Sequence, residues 1–156
     1  MRVFPAHRRL AGLIGSAALA LATTACTMPT QRQALSTSGV PPAIGPYSQM
    51  VSHGTTLYLS GVIPLNTAGN AVVGTSIEEQ THAVLGHMGT LLKSQGLDYA
   101  DVLSTTVYMK DLNDFAAMNK VYGEYFKSAA PARATVEVAR LPRDVKVEIS
   151  AIVGRR

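Results

Sequence analysis

A helix that opens at Ser76 and closes at Gly96 sets the terms for the rest of this chain. Ser76-Ile77-Glu78-Glu79 is a capping box. The serine hydroxyl and the glutamate three residues on satisfy amide donors that a first helical turn leaves open. Behind it Ile77, Thr81, Val84, Leu85, Met88, Leu91 and Leu92 recur at helical spacing and fall on one face. Gly96 supplies the stop. A helix with one apolar stripe needs a second layer to cover that stripe. The interior glycines Gly86 and Gly89 each cost about 1 kcal/mol relative to alanine, which close packing of the helix on a sheet would justify.

The second layer is written around that helix. Residues 47–52 and 56–62 are β-rich runs separated by a turn near His53-Gly54. Residues 102–109, rich in Val, Thr and Tyr, form another strand. The stretch 111–114 offers a cap for a second helix with the stripe Phe115, Met118, Tyr122, Tyr125 and Phe126, ended by Pro131. Residues 133–138 and 146–153 then read as two strands joined by a turn around Leu141-Pro142-Arg143-Asp144. The order β-β-α-β-α-β-β predicts an α+β fold, a mainly antiparallel sheet with two helices on one face.

The N-terminus reads differently. Arg2, His7, Arg8 and Arg9 precede an uncharged apolar run over residues 10–22 and a small-residue site. These are the parts of a secretory signal peptide, here residues 1–25. The run is shorter than the roughly 20 residues a span needs. A buried core helix is the alternative, and the polar tract that follows argues against it. Cys26, the only cysteine, follows Thr23-Thr24-Ala25, which resembles the lipobox of bacterial lipoproteins. Thr23 stands where that pattern prefers Leu, so ordinary cleavage beside Ala25 stays open. Arg8-Arg9 lacks the rest of a twin-arginine motif. Residues 26–41 have the Ser, Thr, Gln and Pro content of a flexible tether, and 42–156 form one domain. The expected location is outside the cytoplasm, as a periplasmic lipoprotein held to a membrane only through a lipid at Cys26. A soluble periplasmic or secreted protein is the alternative. Thr27 rather than Asp after Cys26 gives no signal for inner-membrane retention.

Removing the signal also removes a misleading charge. Of the 14 Lys+Arg in the chain, Arg2, Arg8 and Arg9 leave with it, so 11 face 10 Asp+Glu and the mature part is near neutral. No basic cluster is interleaved with aromatics, so nucleic acid is not an expected partner. His53, His82 and His87 are scattered without a carboxylate-rich neighbourhood, so no metal site is expected.

The chemistry-bearing residues lie near the C-terminus. A hairpin turning near Pro142 would set Arg133 opposite the region of Glu148, with Cβ atoms about 5 Å apart. Arg133, Thr135 and Glu137 share a face by the two-residue period. A guanidinium can clamp a carboxylate through two hydrogen bonds, and a nearby glutamate can hold water or move a proton. On spacing alone a structural salt bridge is the stronger reading.

The wording of the chain changes that balance. Ile44-Gly45-Pro46-Tyr47-Ser48-Gln49 opens the domain, and Ser60-Gly61 is followed by Ile63-Pro64-Leu65. Asp111-Leu112-Asn113-Asp114-Phe115 with Asn119 comes next, then Pro131-Ala132-Arg133-Ala134-Thr135-Val136-Glu137-Val138-Ala139. Leu141-Pro142 with Val147-Glu148-Ile149 completes the set. In this order and spacing, these blocks resemble the RidA (YjgF) family across nearly all of residues 42–153. The resemblance implies a chorismate-mutase-like fold, a homotrimer with active sites in clefts between subunits, and no metal or organic cofactor. It implies hydrolysis of enamines and imines, of the 2-iminopropanoate and 2-iminobutanoate type, to 2-keto acids and ammonia. Carried over, Arg133 binds the substrate carboxylate, and Glu148 positions the attacking water and assists proton transfer. Tyr47, Gly61 and Asn119 line the cleft, and the backbone at Thr135 helps hold the water.

Three positions depart from the family pattern. Val62 stands where Gln is frequent, His87 where Asn is common, and Thr135 where many members have Cys. His87 reads as a packing or surface residue, and Tyr47 could instead pack an edge strand. Two functions follow: an exported imine deaminase, or a non-catalytic module of binding or holdase type that uses the same cleft. RNA cleavage, attached to some relatives, is disfavoured by the near-neutral charge and by export.

Overall fold

The last strand of the chain lies in the middle of the sheet. The computed structural model describes residues 31–155. Its strands are β1 (Gln33–Leu35), β2 (Met50–His53), β3 (Thr56–Val62), β4 (Val102–Met109), β5 (Ala132–Glu137) and β6 (Val147–Gly154), with helices α1 (Ile77–Ser94) and α2 (Phe115–Tyr125). The spatial order is β1-β2-β3-β6-β4-β5. Every pairing is antiparallel except β4 with β5, which is parallel.

Hydrophobic alternation explains the placement of β6. Val147, Ile149, Ala151 and Val153 are buried on one face, where they meet α1 and the inner residues Leu57, Leu59, Val107 and Met109. Val84, Leu85, Met88 and Leu92 of α1 close that core. The capping box forms as expected: Ser76 Oγ accepts from the Glu79 amide at 3.2 Å, and Glu79 Oε2 accepts from the Ser76 amide at 3.1 Å.

The expected hairpin between the last two strands does not form. β5 is mostly exposed and takes the sheet edge, whereas the apolar β6 enters the slot between β3 and β4. The chain reaches β5 through α2, a crossover that returns it parallel to β4. It then passes the end of β4, where Val138 N donates to Met109 O at 3.0 Å and Lys110 N to Lys146 O at 3.0 Å. Arg143 and Asp144 take positive φ values of 61° and 56° in that passage. Arg140 holds the turn through two hydrogen bonds to the Asp144 carboxylate, at 2.7 and 2.9 Å.

Two further expectations change. The stretch read as tether contains β1, and Gln49 fastens the residues after it, accepting from Thr37 N at 2.8 Å and donating to Pro41 O at 2.8 Å. The folded body therefore begins before residue 42. The signal peptide, Cys26 and its lipidation lie outside the described residues. Close packing does explain one of the two interior glycines of α1, though not against the sheet. A Cβ at Gly89 would strike the Tyr99 hydroxyl, which donates to Leu85 O at 2.6 Å, so the close neighbour is that tyrosine and not the sheet. At Gly86 a Cβ would meet open space, and nothing in the structure explains that glycine. Among the described residues no helix is long and apolar enough to cross a membrane.

Candidate active site

The residues expected to carry chemistry fall into two groups. The first surrounds Glu148. The register of β3 against β6 shifts between Leu59 and Val62, and Gly61 sits in that irregularity. Its Cα lies directly beneath the Glu148 carboxylate, so a side chain there would overlap Glu148 Oε1. Ser60 anchors the kink by donating from its hydroxyl to Ser48 O at 2.6 Å. Tyr47 stands in the loop before β2 and accepts from Ile44 N at 3.2 Å through its hydroxyl. Tyr47 and Gly61 line one recess with Val62 and His87. His87 is half-buried there, with Nε2 2.7 Å from Leu65 O, so that nitrogen carries the proton in this contact. Val62 packs against the core from the same strand. Burial pushes the Glu148 carboxyl above the usual carboxylate range, the direction in which a carboxylate becomes a stronger base.

We predict that Gly61→Ala displaces the Glu148 carboxylate and, where Glu148 serves the chemistry, lowers kcat at least about 100-fold. A crystal structure of the variant should show Glu148 in a new rotamer. Wild-type rates in that variant would contradict the role given to this contact.

The second group surrounds Arg133 on β5. Its guanidinium lies over the Tyr122 ring, 4.5 Å from the centroid, and 5.8 Å from that of Phe115. Arg133 Nη2 donates to Asn119 Oδ1 at 2.7 Å. Arg133 and Asn119, expected separately as carboxylate binder and cleft lining, are thus brought into direct contact. Phe115, Asn119 and Tyr122 follow one another at i, i+4 and i+7 on α2, so one helix face cradles the guanidinium. The Tyr122 hydroxyl is paired with Thr105 Oγ1 at 2.7 Å. Burial raises its pKa, with the Thr105 hydrogen bond and the Arg133 charge acting the other way. Thr135 lies on the same face as Arg133, since their β4 partners are Val107 and Thr105. Glu137 is occupied, accepting from Leu112 N at 2.9 Å. By sequence pattern alone Phe115 and Tyr122 belong to a helical core stripe. Their spacing from Asn119 was the signal that marks them as the floor of this site.

The two groups do not meet within one chain. Arg133 pairs with Thr105, and Glu148 pairs with Tyr108. Positions 105 and 108 are three apart on one continuous strand and so face opposite sides of the sheet. Arg133 lies on the helix side and Glu148 on the bare side. The expected juxtaposition rested on a β5–β6 hairpin, and it disappears with that hairpin. The bare side also carries Tyr58, Val136 and Ile152, which are 47%, 41% and 41% exposed. Among the described residues no group of His, Cys, Asp or Glu is placed to hold a metal ion.

The chain matches the family model described as Endoribonuclease L-PSP over residues 37–154. It is 42% identical over 121 residues to the human 2-iminobutanoate/2-iminopropanoate deaminase, covering 78% of this chain and 88% of that one. The crystal structure of the YjgF gene product of E. coli superposes with a TM-score of 0.75 at 42% identity, over 80% of this chain and 99% of that one. E. coli TdcF, solved with bound serine, superposes with a TM-score of 0.75 at 37% identity, over 80% of this chain and 99% of that one.

Proposed function

The chain belongs to the endoribonuclease L-PSP family, the RidA (YjgF) family of its motif blocks, and on that premise we propose that it hydrolyses 2-imino acids in a site shared by two copies. Its fold is the chorismate-mutase-like fold of that family. The observation that carries the shared site is the position of Arg133 and Glu148 on opposite faces of one sheet. The contact that joins them is head-to-tail: the Glu148 face of one copy meets the Arg133 edge of the next. Such contacts close into a ring where the rotation between copies permits it, and a homotrimer is the ring we propose. The exposed Tyr58, Val136 and Ile152 on the bare face favour burial in that contact.

In this reading the Arg133 fork, steadied by Asn119 and the Tyr122 ring, binds the substrate carboxylate. Glu148 orients a water and takes its proton as the oxygen adds to the imine carbon. That proton passes to nitrogen to give a carbinolamine, and transfer of the carbinolamine hydroxyl proton to nitrogen as the C–N bond breaks releases ammonia and the 2-keto acid. An imine carbon is already electrophilic, so positioning and modest base assistance suffice. The near-neutral charge of the chain beyond residue 25 favours imine hydrolysis over RNA cleavage as the chemistry.

The direct experiment supplies 2-iminobutanoate from an amino-acid oxidase and follows 2-ketobutanoate release. Acceleration by the purified protein is expected. Binding of 2-ketobutanoate by calorimetry with no acceleration would instead favour the non-catalytic binding module. We also propose export and lipidation at Cys26, supported by the basic, apolar and small-residue segments before it. Mass spectrometry of the mature protein should find a diacylglyceryl cysteine as residue one. An intact chain beginning at Met1 would overturn export.

A further inference from the structure

Among the described residues, one buried side-chain polar atom lacks a hydrogen-bond partner. Thr135 Oγ1 is enclosed, without solvent access and without any hydrogen bond. The residue as a whole keeps partial exposure. The hydroxyl is therefore turned inward while the rest of the residue reaches the surface. A buried hydroxyl left unpaired is unfavourable, because it has given up its water without gaining a partner. A turn of about 120° about χ1 exchanges hydroxyl and methyl between staggered positions. That turn is downhill once an acceptor arrives on the outer side.

The acceptor is defined by the neighbour. Arg133 stands two residues away on the same face of β5, about 6.6 Å along the strand. Asn119 takes one of its guanidinium donors, and the fork that remains accepts a carboxylate. A carboxylate seated there keeps lone pairs that the guanidinium does not use. We infer that the Thr135 side-chain hydroxyl is a substrate-binding donor, rotating on binding to hydrogen-bond the carboxylate held by Arg133. This rests on the imine-deaminase reading and goes beyond it, because that reading uses only the backbone at this position. A hydroxyl is a better donor than a thiol, so threonine tightens carboxylate binding relative to cysteine at the same place.

The test uses the full-length protein with Thr135→Val, Thr135→Ser and Thr135→Cys. Valine keeps the β-branched shape and removes the donor. It should raise both KM for 2-iminobutanoate and the calorimetric Kd for 2-ketobutanoate at least about ten-fold. The value of kcat should stay within about two-fold, the pattern of lost uniform binding. Serine should bind like wild type, with cysteine between serine and valine. The oligomeric state should not change in any variant, and Thr135→Val, which removes the unpaired buried hydroxyl, should melt no lower than wild type. Wild-type affinity in Thr135→Val would overturn the inference. So would a weaker affinity accompanied by loss of the oligomer, which would give the hydroxyl to a neighbouring copy. If wild type itself neither turns over imine nor binds keto acid, the deaminase reading falls and takes this inference with it. If wild type does both and Thr135→Val matches it, only this inference falls.

Discussion

Arg133→Ala is expected to lower kcat/KM for 2-iminobutanoate by about 100-fold or more, close to 2.7 kcal/mol of transition-state stabilisation. The expectation comes from how the guanidinium is held. Asn119 fixes one end at 2.7 Å, and the Tyr122 ring lies 4.5 Å beneath, so the fork is oriented before substrate arrives. Preorganisation of this kind appears as rate, because little ordering remains for the substrate to supply. Arg133→Lys keeps the charge and loses the planar fork, so it should recover only a small part of the activity. The side chain is exposed, and its ring contact contributes about 0.5–1 kcal/mol at such a site. Thermal unfolding of Arg133→Ala should therefore shift by only a few degrees. Activity near wild type in a folded Arg133→Ala protein would remove Arg133 from substrate binding.

Glu148→Gln should have the other large effect, and here activity and stability move in opposite directions. Loss of the proton acceptor should lower kcat by about 100-fold or more. Burial raises the Glu148 pKa in the folded chain, so the folded state holds this proton to a higher pH than the unfolded state does. Its contribution to stability is full below the unfolded pKa and is lost as pH rises through the raised folded value. Above that raised value the ionised glutamate therefore destabilises the fold. Glu148→Gln should melt higher than wild type at pH 7, and the gap should close as pH falls below the ordinary glutamate range. In wild type, kcat should decline on acidification at a pH above that range. A variant that melts lower at pH 7, or a rate flat down to pH 4, would contradict this description of Glu148.

Much of the architecture was legible because local signals and burial agree. The Ser76 capping box, the α1 stripe and the strand at Val102–Met109 stand where pattern put them. Pairing was harder to read. The turn at Pro142 suggested a hairpin, yet nothing local to residues 132–154 encodes a slot between β3 and β4. That slot exists because α2 carries the chain past β4 and because β6 is apolar enough to fill it. Burial contrast held a clue: β5 has charged residues at Arg133 and Glu137 on one face, as an edge strand would. Asn119, Phe115 and Tyr122 share a helix face by spacing alone, so the Arg133 cradle could have been assembled from the sequence. The contact of Gly61 with Glu148 could not, because it depends on the register of two strands about ninety residues apart.

In the proposed ring Arg133 of one copy serves the same site as Glu148 of another, and mixing two variants tests this directly. Arg133→Ala and Glu148→Gln chains, each inactive alone, should be unfolded together, refolded as a mixture and assayed. In a head-to-tail ring, equal mixing leaves about one interface in four with both residues intact, so roughly a quarter of wild-type activity should return. If each chain holds its own complete site, no mixed protein contains an intact one, and the mixture will stay as inactive as its parts.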